Sequence, residues 1–287
     1  MEQSRYILRE DPAEHVARIV LDRPETRNAQ DTTFLYELND ALDTAAQDDR
    51  VKVIIIAANG PHFSSGHDLR ETDSLEHMRA HDTVGTWAEF GAKGAEGVMA
   101  REAELYLGLC ERWRAIPKPT IAQVHGKCIA GGLMLVWPCD LIVASDDALF
   151  QDNTVTMGMC GVEYFAHPWE LGIRKAKEYL FTANWIDAEE AWRLGMVNRV
   201  VPREDLERAT LELAQKIAAK SLFALKLIKQ SVNAAQDAQG RAQAFQQAFA
   251  LHQLGHSHNF QVHGMAIDPT GLAPTLRKNE GQTNERK

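Results

Sequence analysis

The sequences FSSGHDL at residues 63–69 and GKCIAGGL at residues 126–133 decide the fold and the chemistry that this chain predicts. Each follows an apolar run typical of a buried strand, at residues 51–57 and 120–124. Each leads into a segment that is able to form a helix. A glycine turn at a helix start leaves backbone N–H groups without partners, in front of the positive end of the helix dipole. Two such turns can direct donors at one oxygen, the arrangement that stabilises an oxyanion or enolate. Taken singly, either turn is equally well explained as a place where the chain only reverses.

The rest of the pattern predicts an α/β fold. Residues 6–9 and 16–21 are typical of a hairpin around Asp11-Pro12. Asp31 or Thr32 is expected to cap a helix that runs to about Gln47. Strand and helix alternate from there, which favours mostly parallel pairing. From about Asp187 the strand patterns stop, and residues 203–219, 221–236 and 243–254 predict helices.

Composition excludes several classes of function. Acidic side chains outnumber basic ones, 40 to 31, and the net charge of −9 argues against nucleic acid as a partner. The N-terminus shows no apolar signal segment, and no stretch reaches the roughly 18 apolar residues of a membrane span. The four cysteines have no C-x-x-C spacing, so reduced thiols in a cytoplasmic protein are expected.

Further motifs carry a family resemblance. They are LDRPETRNA at 21–29, IPKPTIA at 116–122, CDLIVA at 139–144 and AEEAWRLGMVN at 188–198. With the two glycine turns, they are similar in kind and order to the motifs of the crotonase superfamily, the enoyl-CoA hydratases and isomerases. The resemblance implies a spiral of ββα units with a C-terminal helical region that builds a homotrimer or a hexamer, a dimer of trimers. We therefore expect an acyl-CoA-binding catalytic core at residues 1–186 and a helical region at 187–278. The polar tail at 279–287 is expected to be disordered.

The resemblance also implies the substrate and the groups that hold it. The substrate is an acyl-CoA thioester, and CoA enters as part of it, so no separate cofactor is expected. The backbone N–H groups of His67 and Gly131 would form the oxyanion hole. The residues expected to contact the substrate are Arg27, Ser65, Asp68, Leu69 and Gly132. Two of these have alternatives: Arg27 faces the CoA phosphates or is an ordinary surface arginine, and Asp68 contacts the thioester arm or, as we favour, caps a helix.

One half of the family's usual site is missing. In register, the two glutamates that activate water in family hydratases fall on Met134 and Thr154, and neither side chain is an effective base near neutral pH. The resemblance implies Glu163 as the first candidate replacement, because other branches of the superfamily place an acidic catalytic group near this stretch. An apolar pocket would raise the pKa of Glu163 for proton transfer. The alternative is that Glu163 complements the dipole in the first turn of a helix. Asp152 is the second candidate, with a strand-end turn as its alternative role.

Two other features bear on the site. Residues 71–103 are rich in glycine and carry Trp87, Phe90 and Met99 as apolar anchors, so they form either a lid or an exposed helical insertion. His252, His256 and His258 do not predict a metal site, because no carboxylate has a matching spacing and Gly255 would break the helix.

The predicted function is therefore a lyase or isomerase of lipid metabolism that stabilises a thioester enolate. Hydration, isomerisation, C–C cleavage and decarboxylation remain open. The alternative is an acyl-CoA-binding protein, or a subunit of a hetero-oligomer, that keeps the oxyanion hole without hydratase activity.

Overall fold

The computed structural model describes residues 4–85 and 87–272. The predicted tail at 279–287 and the last residues of the 187–278 region lie outside the described residues. The strands are β1 (Ile7–Ala13), β2 (Val16–Leu21), β3 (Val53–Ala58), β4 (Thr120–Val124), β5 (Lys127–Ile129), β6 (Leu141–Ser145), β7 (Leu149–Gln151), β8 (Ile186–Asp187) and β9 (Arg199–Val201). The helices are α1 (Thr32–Gln47), α2 (Ser74–Ala80), α3 (Ala95–Glu102), α4 (Leu109–Arg114), α5 (Gly131–Val136), α6 (His167–Leu171), α7 (Ile173–Thr182), α8 (Ala188–Arg193), α9 (Leu206–Ala218), α10 (Leu222–Ala238) and α11 (Arg241–His263).

Two sheets position the site. The larger has the strand order β1-β2-β3-β4-β6-β9, with parallel pairing except between β1 and β2. The smaller has the order β5-β7-β8. The glycine turns follow β3 and lie between β4 and α5, as the alternation of strand and helix predicts. The α/β prediction is confirmed.

Helix α1 has the boundary that its sequence predicts. The Asp31 side chain accepts a hydrogen bond from the Phe34 N–H at 2.8 Å. Phe34, Leu35, Leu38 and Leu42 are all buried in the core. A capping carboxylate and an apolar stripe therefore define this helix.

The hairpin and the end of the strand region differ from the prediction. The turn lies at Glu14 and His15, and Asp11-Pro12 lies inside β1. A proline is tolerated there because β1 is an edge strand with an irregular register beside it. Strands also do not stop near Asp187, because β9 extends the larger sheet by pairing with β6. A strand of three residues at a sheet edge is too short to give a clear strand pattern in the sequence.

Helix α11 runs through Gly255, contrary to the predicted break. A Cβ at Gly255 would lie 3.2 Å from the Met159 side chain and 3.3 Å from the Gly158 carbonyl. The glycine therefore allows a close approach between α11 and the loop after β7. That contact offsets the cost of about 1 kcal/mol that glycine imposes on a helix.

Residues 71–103 contain α2 and α3 and are tied to the core through Glu104. The carboxylate of Glu104 accepts from the backbone N–H of Val84 and of Gly85, both at 2.6 Å, and from the Tyr36 hydroxyl at 3.0 Å. Phe90 and Met99 pack against the core, as expected. Trp87 does not, and 54% of its surface is exposed. None of the helices among the described residues combines the length and the apolar character that a membrane span requires.

Candidate active site

The two glycine turns lie side by side. The Ser64 N–H donates to the Lys127 carbonyl at 3.2 Å, and the Ile129 N–H donates to the Ser64 carbonyl at 3.0 Å. Gly66 has φ +88°, and a Cβ there would lie 2.9 Å from the Ile129 carbonyl oxygen and 3.2 Å from the Gly131 nitrogen. Only glycine fits this position without strain.

The N–H groups of His67 and Gly131 are both available for a ligand. Gly131 is the first residue of α5, so its N–H has no acceptor within the helix. Among the described residues, no turn or loop carbonyl accepts from either group. Two backbone donors thus come from two turns that contact each other.

The loop at residues 23–30 is hydrogen-bonded along the first turn. The Ser65 N–H donates to the Arg27 carbonyl, and the Gln30 N–H donates to the Gly66 carbonyl, both at 2.9 Å. The Ser65 hydroxyl donates to the Thr26 carbonyl at 3.1 Å. The Arg27 side chain is exposed beside the turn, a position from which a cation can reach an anionic ligand.

Asp68 does not cap a helix, because α2 begins only at Ser74. Its carboxylate lies 3.0 Å from the Arg23 guanidinium, which also pairs with Asp31 at 3.1 Å. Asp68 therefore links the first turn to the start of α1. The favoured interpretation as a helix cap is wrong.

Leu69 and Gly132 occupy contrasting places. Leu69 is 52% exposed at the end of the first turn. Gly132 is buried, and a Cβ there would lie 3.0 Å from the Ser64 carbonyl and 3.2 Å from the Cys128 sulfur. Gly132 therefore permits the close packing of the two turns.

The imidazole of His67 packs between Tyr106 and the second glycine turn. Its ring stacks on the Tyr106 ring with centroids 3.9 Å apart and an interplanar angle of 9°. A Cβ on Gly131 would lie 2.5 Å from His67 Cδ2, so the imidazole covers the second turn. His67 Nε2 is buried and has no partner among the described residues.

Tyr106 is a site residue that sequence reasoning missed. It lies in a six-residue π-helical turn, Ala103–Gly108. Burial and the nearby carboxylates of Glu163 and Glu102 raise the pKa of Tyr106 well above its ordinary value. A π-turn rotates the following residues out of the 3.6-residue period, so helical periodicity does not indicate which face Tyr106 occupies.

Glu163 is buried in the coil that precedes α6, not in the first turn of a helix. Its Oε1 atom lies 3.4 Å from His252 Nε2, and its Oε2 atom has no partner among the described residues. The interpretation as a dipole-complementing residue is therefore wrong. A buried carboxylate oxygen without a partner is unusual unless a ligand completes it.

The pKa of Glu163 also departs from the prediction. Burial opposes ionisation, but the interactions with the His252 and His67 imidazoles outweigh it and hold the pKa of Glu163 below its ordinary value. Conversely, burial disfavours the His252 imidazolium, but the charge of Glu163 outweighs it and raises the pKa of His252 to about 11. The sequence prediction of a raised pKa omitted a partner that comes from α11, far along the chain.

Asp152 is a structural carboxylate. It accepts from the Thr154 N–H at 3.0 Å, the Thr154 hydroxyl at 2.6 Å, the Val162 N–H at 2.9 Å and His167 Nε2 at 2.8 Å. Burial opposes its ionisation, but the partnership with His167 and the Thr154 donors outweighs burial and holds the pKa of Asp152 below its ordinary value.

Met134 and Thr154, the residues in register with the hydratase glutamates, carry no carboxylate into the site. Met134 is buried in α5. The Thr154 hydroxyl is occupied by its bond to Asp152. Any acid–base group must come from elsewhere.

Two of the three histidines weighed as metal ligands converge on a carboxylate. His252 and His256 are buried on one face of α11, whereas His258 is exposed. Glu102, at the end of α3, lies 2.8 Å from His256 Nε2 and 3.7 Å from His252 Nε2. The carboxylate that local spacing did not supply thus comes from a distant segment.

The chain belongs to the enoyl-CoA hydratase/isomerase family, whose sequence profile matches residues 11–267. It is similar to the structure of a probable enoyl-CoA hydratase from Mycobacterium smegmatis, with 48% identity, a TM-score of 0.82, and coverage of 91% of this chain and 99% of the other. An enoyl-CoA hydratase/isomerase from Xanthobacter autotrophicus Py2 is 30% identical with a TM-score of 0.78, over 99% of each chain. The relative EchA13 of Mycobacterium tuberculosis is 47% identical over 87% of this chain and 80% of its own length. The predicted crotonase superfamily is confirmed.

Proposed function

We propose that this protein is an acyl-CoA-transforming enzyme that stabilises a thioester enolate. The backbone N–H groups of His67 and Gly131 hold the thioester oxygen as negative charge develops on it. The contact between the two glycine turns, where a Cβ on Gly66 would meet the Gly131 nitrogen at 3.2 Å, is the observation that supports this most directly. Loss of one such donor typically removes about 3–4 kcal/mol of transition-state stabilisation.

Glu163 is the acid–base group of this proposal. Its Oε2 atom is buried without a partner among the described residues, and its carboxylate interacts electrostatically with His67, whose N–H belongs to the proposed oxyanion hole. The carboxylate takes a proton from the carbon next to the thioester carbonyl and leaves an enolate. The same carboxyl group then returns the proton to that carbon or to another one. Tyr106, stacked on His67, forms one wall of the site.

Proton exchange tests this assignment. A saturated acyl-CoA in D₂O is expected to exchange its α-protons in the presence of the protein, as followed by NMR. Glu163→Gln is expected to slow the exchange by about 100-fold or more, because a positioned base contributes roughly that much. Glu189→Gln, at an exposed glutamate on α8, is the matched control and is expected to leave the rate unchanged. Equal rates in wild type and Glu163→Gln would remove Glu163 from the mechanism.

A second candidate is an acyl-CoA-binding protein or hetero-oligomer subunit with little turnover. The absence of carboxylates at Met134 and Thr154 favours it. The protein would then bind acyl-CoA but neither exchange α-protons nor convert any thioester in a panel.

We also propose a homotrimer or a dimer of trimers in the cytoplasm. Helix α10 supports the oligomer, because it carries exposed apolar side chains at Phe223, Leu227, Ile228 and Val232. Sedimentation of the purified chain measures the oligomer, and cell fractionation measures the location.

A further inference from the structure

We propose that Glu102, His252 and His256 form a binding site for a divalent transition metal ion of the Zn²⁺ type. The two histidines lie one helical turn apart on α11, and Glu102 comes from α3. One ligand atom from each residue lies within 4.8 Å of the others. Both histidines are buried, and only 13% of the Glu102 side chain is exposed.

The hydrogen bonds fix which nitrogen of each histidine faces the other ligands. His252 Nδ1 lies 2.8 Å from the Gly161 carbonyl oxygen, and His256 Nδ1 lies 2.6 Å from the Ala266 carbonyl oxygen. A carbonyl only accepts, so each Nδ1 carries a hydrogen and donates it. When the imidazoles are neutral, the lone pair of each therefore lies on Nε2, and the two Nε2 atoms lie 3.1 Å apart. A metal ion that binds both Nε2 atoms would take the place of the protons that otherwise hold them beside Glu102 and Glu163.

The distances suit a metal ion. His256 Nε2 lies 2.8 Å from Glu102 Oε1, and His252 Nε2 lies 3.7 Å from Glu102 Oε2. Zinc bonds of about 2.0–2.1 Å place the ligand atoms of a tetrahedral site roughly 3.3 Å apart. The separation of the two Nε2 atoms, 3.1 Å, and their distances to the nearer oxygen of Glu102, 2.8 Å to Oε1 and 3.7 Å to Oε2, fall on both sides of that value. Two imidazoles with one carboxylate suit Zn²⁺, whereas Mg²⁺ and Ca²⁺ prefer oxygen ligands alone.

Each ligand also has an outer partner that orients it. Carbonyl groups hold the two histidines, and the Gln253 amide donates to Glu102 Oε2 at 2.5 Å. Such outer contacts are characteristic of metal sites in proteins. Three oriented side chains, two imidazoles and one carboxylate, thus converge in the arrangement that a metal ion requires.

The site would connect two parts of the molecule beside the candidate base. It would tie α3, in the segment at 71–103, to α11. Glu163 Oε1 lies 3.4 Å from His252 Nε2, so an ion bound there is a close electrostatic neighbour of Glu163. Three protein ligands leave one tetrahedral position open for water or a ligand. This inference does not depend on the proposed enzymatic function.

Metal titration of the untagged, full-length chain tests the site. The protein is freed of metal by dialysis against a chelator and titrated with Zn²⁺ in competition with a chromophoric chelator. We expect about one Zn²⁺ per chain, and a Co²⁺-loaded sample is expected to show the visible absorption of a tetrahedral ion. Glu102→Gln and His256→Gln are each expected to weaken Zn²⁺ binding by about 100-fold or more. His258→Gln, at an exposed histidine on the same helix, is the matched control and is expected to bind as wild type does.

Hydrogen exchange gives a second measurement. Zn²⁺ is expected to slow amide exchange in α3 of the wild type and not in Glu102→Gln. Glu102 lies at the partly exposed end of its helix, so this variant remains informative if His256→Gln fails to fold. The proposal is overturned if the wild type binds no Zn²⁺, or if both ligand variants bind it with unchanged affinity. Proton exchange on acyl-CoA is measured separately, so an active protein without Zn²⁺ would reject the metal site alone.

Discussion

Two buried carboxylates that follow strand β7 have opposite surroundings. Asp152 accepts four hydrogen bonds, from Thr154, Val162 and His167. Glu163 has His252 beside one oxygen and no partner for the other among the described residues. Burial alone therefore does not indicate a catalytic carboxylate. The number of unfilled acceptor positions distinguishes a group that holds a loop from one that is available to a ligand.

The largest expected effect is on stability, and it differs between variants of Asp152 and of Glu163. Asp152→Asn is expected to lower the free energy of unfolding by about 3–5 kcal/mol, because it breaks a buried pair and turns an amide donor toward other donors. Glu163→Gln is expected to cost no more than about 1–2 kcal/mol, because Glu102 still lies 3.7 Å from His252. Urea unfolding of both variants at neutral pH and one protein concentration measures the difference. Equal losses would contradict the comparison.

Asp152 also predicts that the stability of the protein depends on pH. The pKa of Asp152 lies below its ordinary value of 3.8 in the folded protein. Its stabilising contribution is therefore complete above that value and is lost as the pH falls through it toward the folded-state pKa. Urea unfolding at a series of acidic pH values should show this loss in the wild type. Asp152→Asn should show a shallower dependence over the same interval.

The next effect compares two adjacent glycines of the second turn. A Cβ on Gly131 would collide with the His67 ring at 2.5 Å, whereas a Cβ on Gly132 would press on the Ser64 carbonyl at 3.0 Å. Gly131→Ala is expected to reduce acyl-CoA turnover by about 10²–10³-fold, because it disturbs the oxyanion donors. Gly132→Ala is expected to lower stability by about 1–3 kcal/mol through overpacking. Turnover and urea unfolding of both variants check this, and the reverse assignment of effects would contradict it.

The sequence predicted the part of the site that is built from local backbone. The turns containing Gly66 and Gly131 are short motifs, each between a strand and a helix, so their types and spacing were readable. The part of the site that is built from side chains could not be predicted in this way. Glu163 interacts electrostatically with Tyr106 of the π-helical turn and lies beside His252 of α11, and no local pattern records which distant segments meet.

The proposed metal ligands show the same limit. His252 and His256 were recognised as a pair one helical turn apart, but their carboxylate lies on α3. Gly255 was read from its helix propensity alone, which costs about 1 kcal/mol and is overridden by packing against Met159. Tertiary contacts thus decided both points, and both involve segments that are distant in sequence.

The smallest expected effect concerns Arg27, the exposed cation beside the first turn. If it contacts the phosphates of CoA, Arg27→Gln should weaken acyl-CoA binding by about two- to fivefold, since an exposed ion pair contributes up to roughly 1 kcal/mol. The loss should shrink at high salt, because mobile ions screen exposed charges. A thioester of N-acetylcysteamine carries no phosphate and should bind both proteins equally.

Arg193→Gln, at an exposed arginine on α8, controls for the change in net charge. Calorimetric titration with both ligands measures the difference. An equal loss for the two ligands would show that Arg27 acts through the conformation of the turn, where its φ is +58°, and not through its charge.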